Sequence, residues 1–190
     1  MTSTGTAVEG VPAPLGLHYF GGVDLVVATG VAPIALVGGS PYVGWRSTGA
    51  SLVGVTVRAA FLRIGTGARA VQGATGTADF TWTAGRLDAC GLLRPDRALR
   101  PGACARVESG VLAGTGGKII GATTQRSAWV TGGALARIEC SFLGSLLVTV
   151  GAGPTVRLIA RRFTFQPDTT VYQVPLFGLE AEAGLGVHFL

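Results

Sequence analysis

The chain has 190 residues, enough for one domain of ordinary size, and its composition excludes a disordered protein because only 13% of residues are charged and 48% are hydrophobic. Glycine accounts for 31 residues. This density disfavours a helical protein, since each glycine inside a helix costs up to about 1 kcal/mol relative to alanine. We therefore expect an all-β chain.

The net charge of +5 does not indicate a nucleic-acid partner, because the basic residues are not clustered. Lys118 is the only lysine, and most arginines stand singly among apolar residues. The short basic run of Arg94, Arg97 and Arg100 falls in a proline-containing turn. We predict no nucleic-acid binding.

The opening segment, residues 1–14, is small, polar and proline-containing, without the basic start and apolar core of a secretory signal. We expect a flexible lead-in over 1–14 and a single β-barrel domain over 15–190.

From residue 15 onward the chain alternates between apolar and small or charged residues with a period of two, which is the signature of strands. No helical period of useful length appears. The alternation predicts eight strands, in chain order Leu15–Val27, Ile34–Arg46, Ser51–Ile64, Ala78–Ala89, Ala103–Gly114, Ala128–Phe142, Leu146–Arg161 and Phe177–Phe189.

The fourth predicted strand is irregular, because a phase that points Phe80, Trp82 and Ala84 outward would also point Arg86 outward. We expect a bulge or the end of this strand near Gly85.

One face of the other strands is continuously apolar, whereas the opposite face carries glycines and charges. A narrow barrel embedded in lipid explains this pattern, because arginine and carboxylate side chains can pair across its interior and a closed barrel leaves no backbone group unpaired in hydrocarbon. We predict an eight-stranded antiparallel up-and-down transmembrane β-barrel. The lumen charges that we expect are Asp24, Arg46, Arg58, Asp79, Arg106, Glu108, Arg137, Glu139, Arg157, Arg161, Glu180 and Glu182.

Aromatic residues support the same topology. If the chain starts in the periplasm, eight strands return its C-terminus there, and the aromatics fall in two outward-facing girdles, as is typical of membrane barrels. We expect Tyr19, Trp45, Phe142 and Phe189 near the periplasmic rim and Phe61, Phe80, Trp82 and Phe177 near the opposite rim.

In this pattern the chain resembles the small eight-stranded outer-membrane barrels of Gram-negative bacteria, the OmpA-like and OmpW-like class. The resemblance covers about residues 15–190. The final strand looks like the assembly signal of that class, although Phe189 is penultimate and Leu190 ends the chain. The resemblance implies an outer-membrane location, contact with lipid and with the assembly machinery, and both termini in the periplasm.

Motifs for catalysis or cofactor binding are absent from the sequence. The glycine-rich segment 114–119 has Ile119 where a phosphate-binding loop needs Ser or Thr. His18 and His188 begin the first strand and end the last one, and we interpret them as an inward polar pair at the base of the barrel, with a metal or pH-sensitive pair as the alternative. We predict no metal, no cofactor and no enzyme. The alternative is a lipid-modifying enzyme, which some small outer-membrane barrels are; such enzymes need a His, Ser or carboxylate set near the outer leaflet, and neither histidine lies there on this topology.

The function that follows is a monomeric outer-membrane barrel with a polar lumen filled by side chains, whose role is structural, adhesive or that of a narrow conduit. Partners would meet the longer exits at 118–126 and 162–174. The alternative is a soluble or periplasmic β-barrel that binds an apolar ligand, with its Val and Leu faces inside.

The last expectation is a disulfide between Cys90 and Cys104, which close the fourth strand and open the fifth around a turn with Pro95 and Pro101. Both thiols would lie near the periplasmic rim, where disulfides persist. Cys140 would be an unpaired thiol on the lipid-facing side.

Overall fold

The structure is a computed structural model, and it describes residues 16–48, 52–70, 77–117, 124–159, 162–165, 169–173 and 175–189. The lead-in expected over 1–14 lies outside the described residues. The described residues form eleven β-strands, which are β1 Gly16–Ala28, β2 Leu36–Thr48, β3 Val53–Gly65, β4 Arg69–Ala70, β5 Thr77–Leu93, β6 Leu99–Gly117, β7 Thr124–Phe142, β8 Leu146–Arg157, β9 Arg162–Phe165, β10 Thr169–Gln173 and β11 Phe177–Phe189.

Eight of these strands form a closed barrel. Their order is β3, β2, β1, β11, β8, β7, β6 and β5, and the pairing of β3 with β5 closes the circle. Every pairing is antiparallel. The predicted all-β, eight-stranded, up-and-down barrel is confirmed. None of the described residues belongs to a helix long and apolar enough to cross a membrane.

Three segments that we expected to be loops contain strands. Strands β6 and β7 run to Gly117 and from Thr124, and Thr115 pairs with Thr124 inside the segment expected to be a loop. The short strand β4 pairs with the start of β5, and β9 and β10 form a separate hairpin. These segments lack an apolar alternation, so only their backbone pairing identifies them as strands.

The two ends of the barrel differ in their connections. The terminal end holds the start of β1 and the end of β11, and its connections β2–β3, β5–β6 and β7–β8 are short. The β7–β8 turn has left-handed backbone at Leu143 (φ 48°) and Gly144 (φ 76°). The opposite end, which we call the long-loop end, carries the connections β1–β2, β3–β5, β6–β7 and β8–β11.

Apolar side chains of the alternating segments face outward. Leu25, Val43, Leu179 and Leu185 are each more than half exposed, whereas their chain neighbours on the other face are buried or half-buried. A soluble barrel that binds an apolar ligand would need these side chains inside, so the alternative stated above is wrong.

The interior is apolar at the long-loop end. Val31 and Ala32, from the β1–β2 connection, fold into the barrel mouth and join inward residues of the strands. Burial of each large apolar side chain contributes roughly 1.5–3 kcal/mol. We call this cluster the apolar layer; it comprises Val26, Ala28, Val31, Ala32, Leu36, Leu62, Ile64, Trp82, Ala84, Leu112 and Trp129.

Candidate functional site

The middle of the barrel interior is charged. Because side chains alternate between the faces of a strand, inward residues have even numbers on β1, β2, β3, β5, β6 and β11 and odd numbers on β7 and β8. Nine charged residues meet at mid-height, each at most 4% exposed. We call them the central network: Asp24, Arg58, Arg86, Asp88, Arg106, Glu108, Arg137, Glu180 and Glu182.

Glu182 contacts four guanidinium groups, more than any other carboxylate of the central network. Its Oε1 accepts hydrogen bonds from Nη2 of Arg58 at 2.9 Å and Nη2 of Arg137 at 2.5 Å. Its Oε2 accepts from Nη1 of Arg86 at 3.1 Å and Nη2 of Arg106 at 2.6 Å. Four strands are therefore tied to β11 through one carboxylate.

Asp88 forms a second hub, opposite Glu182. Arg106 donates to both carboxylate oxygens, from Nε at 2.7 Å and from Nη2 at 2.9 Å, the bidentate geometry that favours arginine. Nη2 of Arg137 donates at 2.7 Å and Nη2 of Arg58 at 3.1 Å. Arg58 also pairs with Asp24 at 3.0 Å.

Glu108 and Glu180 complete the network on the side of β6. Nε of Arg86 donates to Glu108 at 2.6 Å, and Nη2 of the same guanidinium binds Glu180. Nη1 of Arg106 donates to Glu180 at 2.8 Å, and the Thr131 hydroxyl donates to Glu108 at 2.9 Å. Each buried charge thus has an opposite charge in contact, which offsets the cost of removing it from water.

Glycines make room for these long side chains. A Cβ on Gly184 would lie 1.9 Å from Oδ1 of Asp24, and one on Gly186 would lie 2.5 Å from the Tyr42 hydroxyl. A Cβ on Gly22 would lie 2.7 Å from the same hydroxyl. The glycine-rich inward face of β1 and β11 is therefore the surface over which Asp24 and Tyr42 lie.

A smaller ionic cluster lies toward the terminal end. Arg46 binds Glu139, and both are buried. Arg100 approaches the same carboxylate, with its Nε 3.8 Å from Oε2 of Glu139. Nη2 of Arg100 donates to the Ser141 hydroxyl at 2.5 Å.

The two histidines lie near the terminal end but in different environments. His188 is half-buried, with its Nε2 3.3 Å from Oγ of Ser141 and its ring against the edge of Phe20. His18 is exposed, so the prediction that both histidines plug the base is wrong for His18. Its position near the start of β1 leaves it at the rim, where packing does not enclose it.

The predicted bulge in the fourth strand is wrong, and two girdle residues are misplaced with it. β5 runs unbroken from Thr77 to Leu93, and its register with β3 and β6 does not shift. Because Arg86 faces inward, Phe80 and Trp82 on the same face do so too. Trp82 is 1% exposed and packs edge-to-face on Trp129 at 6.1 Å, while Phe80 packs against the apolar layer.

Five predicted lumen charges are not in the central network, and two of them, Arg46 and Glu139, form the smaller cluster near the terminal end. Asp79 lies on the outward face of β5, half-buried beside the Thr66 hydroxyl at 3.4 Å, so its prediction is wrong. Arg157 is half-buried at the long-loop end, beside a cavity of about 10 Å³ that Trp129 also lines. Arg161 lies outside the described residues.

The other predicted aromatics face outward. Trp45, Tyr19 and Phe189 are direct neighbours across β2, β1 and β11 at the terminal end. Phe142 ends β7 at the same end. Toward the long-loop end lie Phe61 and Phe177, both exposed.

Sequence reasoning missed Arg86, Asp88, Arg100 and Trp129. Arg86 and Asp88 are two residues apart on one face of the strand. Continuing the alternation through Gly85 would therefore have found them. Arg100 was placed in a turn, although β6 begins at Leu99. Trp129 carried no signal, because its neighbours Ala128 and Val130 are also apolar.

The predicted disulfide between Cys90 and Cys104 is confirmed. It lies inside the barrel, since β5 extends to Leu93 beyond the first cysteine, and not at the ends of the strands as expected. Cys140 is a free cysteine on the outward face of β7 and is half-buried.

The ion pairs of the arrangement can hold the barrel wall together. Among the described residues, no group of three or more His, Cys, Asp or Glu side chains is placed to hold a metal ion. At the terminal end the Ser141 hydroxyl contacts His188 and also accepts a hydrogen bond from Arg100. It is therefore not paired with the histidine alone, as the hydroxyl of a serine nucleophile is paired with its base.

Comparison with known proteins gives a likeness of fold alone. No family model and no curated protein matches the chain. A major outer membrane protein of Thermus thermophilus superposes with a TM-score of 0.66 at 13% identity, over 92% of this chain and 100% of that one. Ail, the attachment invasion locus protein of Yersinia pestis, gives 0.53 at 10% identity, over 91% and 97%. Neisserial surface protein A gives 0.51 at 11% identity, over 91% and 97%. The chain therefore has the fold of the small eight-stranded outer-membrane β-barrels.

Proposed function

We propose that the chain is a monomeric outer-membrane protein whose barrel is closed to solutes by its own side chains. The barrel wall faces lipid, both termini lie in the periplasm, and the long-loop end faces outward. Its role is structural or adhesive. A barrel filled by its own side chains would not act as the narrow conduit that the sequence left open.

The central network is the observation that carries this proposal. Four guanidinium groups and five carboxylates fill the cross-section at mid-height, each at most 4% exposed. An eight-stranded barrel is only wide enough for such side chains. A solute would have to displace ion pairs that link four strands to Glu182, and it would then meet the apolar layer, including the Trp82 and Trp129 rings.

Lipid as the surrounding partner is supported by the outer face. Every barrel strand exposes leucine, isoleucine or valine side chains, including Leu87 on β5 and Ile138 on β7. So large an exposed apolar surface is unfavourable in water. The aromatics at the two ends, such as Tyr19 and Phe177, would lie at the two membrane interfaces. The assembly machinery would recognise β11, which ends at Phe189.

An adhesive role is supported by the shape of the long-loop end and by one structural neighbour. The connections at this end are longer than those at the terminal end. The Yersinia pestis neighbour is named as an attachment protein, and one of its structures holds a heparin analogue. Arg63 and Arg126 are exposed near this end and offer positive charge to an anionic partner.

Conductance tests the closed interior. The chain refolded in detergent and inserted in a planar bilayer should show little steady conductance, while circular dichroism shows β structure and gel mobility changes on boiling. Leu185→Ala, on the outer face, serves as the matched control and should be equally silent. Large stable openings in the unaltered chain would contradict the proposal.

Orientation is tested by accessibility on intact cells. Gly67 is a suitable site for an inserted epitope, because the space around it is open and it lies at the long-loop end. Antibody should bind this epitope on intact cells, and it should bind an epitope fused to the N-terminus only after the outer membrane is permeabilised. The reverse pattern would overturn the orientation.

A further inference from the structure

The disulfide is enclosed by the barrel that it crosslinks. Cys90 and Cys104 are 3% and 2% exposed, and they lie directly opposite each other on β5 and β6. Leu92 and Leu135 pack with the two cysteines in one buried cluster. Nη1 of Arg137 lies 3.1 Å from Sγ of Cys90.

Packing closes both routes to these sulfurs along the bore. Toward the long-loop end, Asp88 and Arg106 of the central network follow on the same two strands. Toward the terminal end, Leu92 is fully buried and lies so close to Gly102 that a Cβ there would come within 2.6 Å of its side chain. Thiol–disulfide exchange needs a sulfur of the oxidant to reach the attacking thiolate, so the closed barrel does not admit it.

The two cysteines are nevertheless close in sequence. They are 14 residues apart, in one hairpin whose turn is closed by the hydrogen bond from Arg97 N to Arg94 O at 3.0 Å. The formation of this hairpin alone brings the thiols together, because no other strand is needed to set the β5–β6 register. Hairpins form in microseconds, far faster than disulfides.

We infer that the disulfide forms in the β5–β6 hairpin before the barrel closes around it. The oxidant is the disulfide of a thiol–disulfide oxidase. The Cys90 and Cys104 thiols give up two protons and two electrons as the S–S bond forms, and the oxidant's disulfide is reduced to two thiols. The closed barrel neither needs nor admits this oxidant, whatever the function of the protein.

The test uses Cys140→Ser, which leaves only the two thiols of interest. The reduced chain is exposed to oxidised glutathione either unfolded in urea or already folded in detergent, as gel mobility shows. Free thiols are then counted by alkylation under denaturing conditions. The half-time of oxidation in the folded barrel should be at least about a hundredfold longer, since reaction there requires opening of the structure. A smaller ratio overturns the inference.

A reverse arm covers the case in which the reduced chain fails to fold. The oxidised barrel in detergent is treated with a phosphine reductant, and the same chain in urea is treated in parallel. The bond in the folded barrel should again react at least about a hundredfold more slowly. Reduction of both samples at similar rates would contradict the enclosure and with it the proposed order of events.

Discussion

The central network and the apolar layer occupy the same bore, on the same strands, yet they solve the problem of filling it in different ways. On β5, Arg86 and Asp88 face inward in the network, and just before them Trp82 and Ala84 face inward in the layer. The network depends on mutual pairing of charges, whereas the layer depends on volume alone. Inward residues of a narrow barrel therefore share their burial and differ in their polarity. They are charged in the central network and apolar in the apolar layer.

The largest effect is expected from breaking the network at its hub. Glu182→Gln leaves four guanidinium groups without their shared negative charge and should cost about 3–5 kcal/mol of unfolding free energy. Urea unfolding in detergent, followed by tryptophan fluorescence, measures this. Asp79→Asn, on the outward face, is the control and should stay within about 0.5 kcal/mol. Equal effects for the two variants would refute the pairing that we describe.

The apolar layer should respond to loss of volume. Leu62→Ala removes a fully buried side chain and should cost about 2–5 kcal/mol, measured by the same unfolding experiment. Leu185→Ala removes the same atoms from the outer face, where detergent replaces them, so it should cost much less. If Leu185→Ala proved the more damaging, the assignment of inner and outer faces would be reversed.

Added volume beside the central network should lower the free energy of unfolding by a smaller amount. Gly184→Ala places a Cβ 1.9 Å from Oδ1 of Asp24 and 2.9 Å from the Thr149 hydroxyl, and should cost about 1–3 kcal/mol. Gly39→Ala, where nothing lies within 4 Å of the new Cβ, should change stability by less than about 0.5 kcal/mol. The difference between the two alanine variants in urea midpoint is the measured quantity.

The smallest change in stability is expected outside the bore, in the β7–β8 turn. Leu143 has φ 48° and is exposed, and asparagine tolerates this left-handed backbone better than leucine does. Leu143→Asn should therefore stabilise the barrel by up to about 1 kcal/mol. Leu143→Ala keeps the backbone cost and should not stabilise. A melting temperature that falls for Leu143→Asn would argue against strain in this turn.

Strands with sharp alternation could be predicted from the sequence because each face is chemically uniform. On β11, Glu180 and Glu182 mark the inner face, and Leu179 and Leu185 mark the outer one. The first half of β5 lacks this contrast: Trp82 is large and apolar, and its neighbours Thr81 and Thr83 are small and polar. Hydropathy then assigns the tryptophan to lipid, and only the packing of Trp82 on Trp129 corrects it.

The members of the charged network were predictable in part, and their pairings were not. The expected set included Glu182 and Arg106, since their strands alternate cleanly, but nothing in the sequence assigns four arginines to one carboxylate. Strand stagger around a tilted barrel decides which inward residues meet at the same height, and this depends on the register of every ladder. Asp79 was misassigned because it lies beside residues whose phase was misjudged.

The β1–β11 ladder differs from the other ladders of the barrel in the sequence separation of the strands that it joins. Most barrel ladders join strands that follow one another along the chain, whereas the β1–β11 ladder joins Tyr19 to Phe189 and so spans nearly the whole sequence. Contacts of such high sequence separation form late in folding, because the entropy of the intervening chain is lost before they contribute. In a chain whose other ladders are formed but whose β1–β11 ladder is not, β1 and β11 would be outer edges with unpaired amides that any other strand could capture. The kinetic hazard of this fold is therefore concentrated in two strands, and a factor that shields both edges until they meet would protect the whole sheet.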